Sequence, residues 1–242
     1  VNASSTASAT VSSAILGGAI ALGLALGGYF IGHGLLKARS SERFVTVKGL
    51  AEREVKADLA IWPLVFAVTA DDLVTLQGRA DESARKIRAF LERDFKDEPV
   101  SVSAPRVQDR EAQGVMRDRA NLDRYVAEVT VTLRTGRVDT VKAALERSGE
   151  LVKQGVAIVH NYEARTNYLF TQLDEIKPEM IAVATKDARH AAEQFASDSG
   201  SQVGAIRHAQ QGYFTVEDRD PFSPEFKKVR VVTTVEFFLL DQ

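Results

Sequence analysis

Two kinds of hydrophobic pattern divide this chain. From Ala14 to Leu36 the run AILGGAIALGLALGGYFIGHGLL carries no Asp, Glu, Lys or Arg, and only Tyr29 and His33 break its apolar character. As a helix it would measure about 34 Å, enough to cross a hydrocarbon core of ~30 Å. Beyond it, apolar residues recur with periods of two or three to four, as expected of strands and helices that each bury one face. The pattern predicts a polar tail over 1–13, a membrane span over 14–36, a basic linker over 37–43 and a folded body over 44–242.

Within the body, Phe44 to Gly49 alternates and reads as a strand, and Ala57 to Ala70 reads as a second. Pro63 inside the second predicts a bulge or an edge position, because proline donates no hydrogen bond. Asp71-Asp72 then opens a helix with an apolar stripe at Leu73, Leu76, Ala80, Ala84, Ile87, Leu91 and Phe95. Strands follow over 100–107 and 125–134, joined by a charged hairpin loop whose arginines 110, 117, 119 and 124 alternate with acids. A second helix runs over 139–147, with Val138, Val141, Ala144 and Leu145 inward and Gly149 ending it. Residues 155–170 are extended. Pro178 marks the first turn of a third helix, with a stripe at Ile181, Ala184, Ala188, Ala191 and Phe195 and Gly200 closing it. Strands over 205–216 and 228–240 flank an acidic, proline-bearing loop. The order β-β-α-β-β-α-β-α-β-β predicts an α+β protein in two lobes, with mainly antiparallel sheets and helices on one face.

Composition narrows the chemistry. The 31 basic and 33 acidic residues are interspersed and give a net charge of −2, which leaves no nucleic-acid footprint. Cysteine is absent, so disulfides, thiol nucleophiles and thiolate metal sites are absent too. His190 and Glu193 stand three apart on the third helix, but Lys186, Asp187 and Arg189 beside them mark a solvated face. His33 falls in the apolar run; His160 and His208 have no assignable partners. No HExxH, G-x-S-x-G, P-loop or G-x-G-x-x-G occurs. The acid pairs Asp71-Asp72 and Asp174-Glu175 precede helices, whose N-termini favour negative charge without any catalysis. Trp62, Phe66, Phe90 and Phe95 read as core. These motifs call for no catalytic residue, metal or cofactor, and the expectation is a non-enzyme.

The apolar run admits three readings: an uncleaved anchor, a cleaved signal, or a core helix. The anchor is favoured, since a secretory apolar core spans about 7 to 15 residues and a soluble helix needs a polar face. Gly23-x-x-x-Gly27 and Gly28-x-x-x-Gly32 place small residues one turn apart and mark the face on which such helices pack. Lys37, Arg39, Arg43 and Lys48 follow the run, and by charge alone point the body to the cytoplasm.

The stretch VTVKGLAEREVKADLAIWPLVFAV (45–68) resembles the opening of the SIMPL, or DUF541, family: a strand with Gly49, then a second introduced by Asp58, with Ala57 where the family often has proline. YVAEVTVTLRTGRVDTVKAALERSG (125–149) is similar to the family's central strand and helix. ATKDARHAAEQFASDSGSQVGAIRHAQQG (184–212) is similar to its late Ala-rich helix, with Gly200 and Gly204 matching the glycines that follow. The resemblance implies a bacterial envelope protein with no established catalytic residues; some members assemble into rings or cages, and some are tied to oxidative-stress defence. It favours a single-pass inner-membrane protein with a periplasmic body, against the charge rule, because long domains cross despite flanking charge. The expected partners are the lipid bilayer and further copies of the chain, with any small-molecule ligand unknown. The alternatives are an envelope ligand-binding module using the aromatics at 162, 168 and 170, and a hydrolase or metal enzyme using His160, His190 or His208.

Overall fold

A computed structural model of the chain describes residues 17–18, 20–33, 43–114, 122–159 and 165–241. Residues 17–18 and 20–33 are helical, and their side chains are exposed apart from a half-buried Gly27. Among the described residues no helix is long and apolar enough to cross a membrane. The expected 14–36 span is therefore not seen as such. Its ends, residue 19, the 1–13 tail and most of the 37–43 linker lie outside the described residues.

The strands are β1 (Phe44–Lys56), β2 (Leu59–Ala70), β3 (Val100–Val102), β4 (Arg106–Asp109), β5 (Tyr125–Thr135), β6 (Ala157–Ile158), β7 (Asn167–Leu169), β8 (Ser201–Gln211), β9 (Thr215–Asp218) and β10 (Phe226–Asp241). The helices of the body are α1 (Leu73–Phe95), α2 (Val138–Glu146), α3 (Gly149–Lys153) and α4 (Leu173–Asp198). One sheet has the order β1-β10-β8, with β9 also on β10. The other has β3-β5-β2-β6, with β4 on β5 and β7 on β2. Every pairing around β2 and β5 is antiparallel, as is that of β10 with β8 and β9, so the α+β expectation holds. Two compact units emerge: 1–50, 184–212 and 233–242 form one, and 51–183 with 213–232 form the other.

The larger unit is built on β2 and β5, which pair without a break from Ala60–Thr135 to Ala70–Tyr125. Alternation then places Trp62, Leu64 and Phe66 on the same face as Leu133, Val131 and Val129, all buried. Helix α1 covers that face with Ile87, Phe90, Leu91 and Phe95, and Phe90 meets Trp62 edge-to-face at 6.3 Å between ring centres. Asp72 caps α1, accepting from the Thr75 N–H at 2.9 Å. Leu73, expected inward, is exposed, because the stripe begins only at Leu76.

Three prolines and glycines act differently from expectation. Pro63 makes neither bulge nor edge: it pairs in register with Thr132, and on β2's other side it falls between the stretches paired with β7 and β6. Among the described residues no strand pairs with it there, so no ladder bond calls for its missing N–H. Pro178 lies inside α4 rather than in its first turn, since the helix begins at Leu173. The cause is Asp58, whose carboxylate accepts from the Thr171 and Gln172 N–H groups at 2.9 to 3.0 Å and from the Thr171 hydroxyl. These donors just ahead of the helix are satisfied early. Gly149 opens α3 instead of ending α2; the left-handed turn is taken by Gly155, at φ 83°. The strand expected over 100–107 is split into β3 and β4 around Pro105.

The smaller unit packs Val47, Val235 and Phe237 against Ala188 and Ala192 of α4. Buried α4 positions recur every four residues at Met180, Ala184, Ala188, Ala192 and Ala196. Phe195, expected inward, is 60 % exposed, one position off that stripe. Small residues are required here because α4 lies against β1 at Gly49. A Cβ on Gly49 would sit 1.9 Å from the Ala184 carbonyl oxygen and 2.5 Å from the Ala188 nitrogen. Gly204 serves a similar end, its backbone passing within 3.2 Å (Cβ position) of the Phe238 carbonyl oxygen.

Two outcomes follow. Gly49→Ala, which meets backbone that has nowhere to go, should lower the unfolding free energy by about 2–3 kcal/mol in urea titration, whereas Gly78→Ala, with open space around it, should not destabilise. Asp58→Ala, which orphans the donors ahead of α4, should cost about 1 kcal/mol in the same assay.

Candidate functional site

The larger unit carries a cleft of about 1040 Å³. One wall is Arg165 to Tyr168, entering β7; the other is the turn from Asp218 through Pro224 between β9 and β10; Leu145 of α2 closes a side. The turn is held by its own hydrogen bonds. Arg219 N–H donates to the Phe226 carbonyl at 2.9 Å, Phe226 N–H to the Ser223 carbonyl at 3.0 Å, and Phe222 N–H to the Asp220 carboxylate at 2.9 Å. The Arg219 guanidinium stacks on the Phe226 ring at 4.5 Å and bonds Asp220 at 2.9 Å. That bond to Arg219 holds the Asp220 carboxyl below the usual range, and Arg219 rises in turn.

Two titratable groups are buried beside the cleft. Tyr168 is 6 % exposed, and its hydroxyl is pushed up by burial and by the negative charge of Glu225. Glu225 is 5 % exposed; burial opposes its charge, but Lys142, donating at 2.5 Å, outweighs that and lowers its carboxyl. Lys142 rises through the same bond. At neutral pH Tyr168 is therefore a protonated phenol and Glu225 an ionised, partnered carboxylate. Neither is poised to exchange a proton near pH 7. The facing charges of the cleft balance, Arg165 and Arg219 against Asp218 and Asp220, and Asp218 is paired with Lys227. Such a lining suits recognition of a polar, roughly neutral surface more than capture of a strong anion.

The residues singled out in the sequence are scattered. Gly23, Gly27, Gly28 and Gly32 lie on the N-terminal helical stretch with nothing within 4 Å of a Cβ at any of them. His33 stacks on Tyr29 at 5.7 Å. His190 is largely exposed and touches only Glu193, at 3.5 Å, on the solvated face expected for it. His208 pairs with Glu236 across β8 and β10; His160 and Tyr162 lie outside the described residues. Among the described residues no group of three or more His, Asp or Glu could hold a metal ion. Of the three aromatics proposed for a ligand, Tyr168 lines the cleft. Asp71 accepts from the Arg124 N–H at 3.2 Å, and Asp174 pairs with Lys177 at 2.6 Å. In the arginine-rich hairpin, Arg124 is bound by Asp109 at 2.7 Å and by Glu111 at 3.1 Å; Arg117 and Arg119 lie outside the described residues. The Lys142–Glu225 pair leaves no local mark in the sequence, because its partners are 83 residues apart.

The sign of the acid response follows from Glu225. A carboxyl lowered on folding stabilises the protein above its unfolded value, about 4.3, and that contribution is lost as pH falls through the folded value. Glu225→Gln should therefore flatten the acid limb of stability below about pH 4.3 and cost about 1–2 kcal/mol at pH 7, read as urea midpoints across pH. An unchanged acid limb would refute the assignment.

No curated protein matches the chain. The family model for SIMPL, a protein of unknown function (DUF541), matches residues 45–237, from the second residue of β1 into β10. The chain therefore belongs to the SIMPL (DUF541) family.

Proposed function

We propose that this is a non-catalytic, membrane-anchored protein of the bacterial envelope whose SIMPL body assembles with further copies of itself and serves in stress defence. The observation that carries the reading is the charge-free run Ala14 to Leu36 immediately before a SIMPL domain. Where that run is described it is helical, and its apolar side chains Leu22, Leu24, Phe30 and Ile31 are each more than half exposed. Exposed apolar area on this scale favours burial in lipid or against other helices. The open flanks of Gly23, Gly27, Gly28 and Gly32 suit close approach of neighbouring anchors. If the bodies associate, each brings its own helix, and anchor contacts form at high local concentration without strong intrinsic affinity. The paired, non-neutral-titrating groups of the cleft support a binding role over catalysis.

Two measurements test this. The full chain in mild detergent should show a protein mass at least twice that of the 26.5 kDa monomer by light scattering; a single monomeric species refutes self-assembly. An alkaline phosphatase fused after Gln242 should be active in intact cells if the body faces the periplasm, and silent activity reverses the orientation.

A further inference from the structure

Among the described residues, strand β8 is a sheet edge without cover. It pairs with β10 on one side, and no second strand joins it on the other. Side chains 205 through 211 are all exposed, so no layer covers either face of the strand there. The other edges of the two sheets are blunted. β3, β4, β6, β7 and β9 hold two to four residues each. At β1 the Leu50 N–H donates to the Asp187 carboxylate at 2.9 Å, and Gly49 is pressed against α4. Short or covered edges discourage pairing between molecules, whereas an open edge of 11 residues invites it. Its row of unpaired backbone N–H and carbonyl groups is matched in full by another extended chain.

We propose that β8 pairs antiparallel with β8 of a second copy about a twofold axis at Ile206, joining the two sheets edge to edge. The strand's own sequence commits it to this occupant, because SQVGAIRHAQQ is compatible with itself when reversed. With Ile206 on the axis all 11 residues find a partner: Ile206 meets its copy, Val203 meets Ala209 and Gln202 meets Gln210. No like charges face one another. Arg207 falls opposite Ala205 and keeps its ion pair with Glu236, at 3.2 Å; an axis one residue later would set it against its copy. Bulges can turn an edge away from partners, and the pairing with β10 skips one residue at Arg207 and one between Val203 and Ile206. They flank Ile206 on both sides, so the axis maps one irregular stretch onto the other. Ile206, 43 % exposed, gains an apolar neighbour. The contact is isologous and uses the long open edge of each chain, so it closes at two. It rests on the self-assembly reading and gives that reading its surface.

The cysteine-free sequence makes the register directly readable. Full chains carrying Gln202→Cys or Gln210→Cys, both at exposed positions and distinguished by tags of different mass, are mixed in detergent and oxidised. A mixed disulfide well above its statistical share is expected. Ile206→Lys sets two ammonium groups together on the axis and should weaken assembly about 10-fold with circular dichroism unchanged, and Ile206→Glu should do the same. Mixing these two variants should restore assembly, because opposite charges then meet. A mixed disulfide at its statistical share, or an Ile206→Lys chain that assembles as tightly as its parent, overturns pairing through β8 but leaves self-assembly standing. A monomeric parent chain overturns both. A peptide held on β8 in place of a second copy, seen by native mass spectrometry, overturns the second copy as its occupant.

Discussion

The unbroken pairing of β2 with β5 is the constraint on which the larger unit depends. Because side chains alternate strictly, that one register decides that Trp62, Leu64, Phe66, Val129, Val131 and Leu133 share a face. A slip by one residue would turn one strand's three to the opposite face, and with each worth about 1.5–3 kcal/mol on burial the native register has no near competitor. Helices α1 and α2 then have only one surface to cover. The short strands β3, β4, β6 and β7 add to the two outer sides of the same pair.

In the smaller unit the governing term is distance rather than register. The alanine stripe of α4 and the missing side chain of Gly49 bring helix and strand backbones closer than any larger residues would permit. Close packing supplies many weak dispersion contacts in place of a few large buried side chains. The same economy explains Gly204, which passes tightly by Phe238 and Leu240. Two glycines spaced far apart in sequence are thus members of one packing solution.

The cleft shows how a fold with modest chemistry can still present a defined surface. Glu225 is buried and ionised because Lys142 reaches it, and its charge together with burial keeps Tyr168 protonated. The 219–226 turn is closed by its own hydrogen bonds.

Local rules were enough for much of this protein. The apolar period of α1, the Asp72 cap, the alternation of β5 and the turn at Gly200 depend on neighbours within a few residues, where geometry and sequence are the same thing. The family was legible too, through the resemblance carried by the stretches around Gly49, Asp58, Gly200 and Gly204. Pro63 and Pro178 differ from the local expectation because their cost depends on whether a particular N–H has a partner, and those partners, such as Asp58 for the residues ahead of α4, come from far away in the chain. The same holds for the Lys142–Glu225 pair and for the cleft itself. Sequence by itself determined the α+β composition, the family and a charge-free N-terminal run. Only the tertiary structure decided which glycine must be glycine, which carboxylate is buried and which aromatic ring is left in water, because each of those is set by distances between segments that periodicity does not encode.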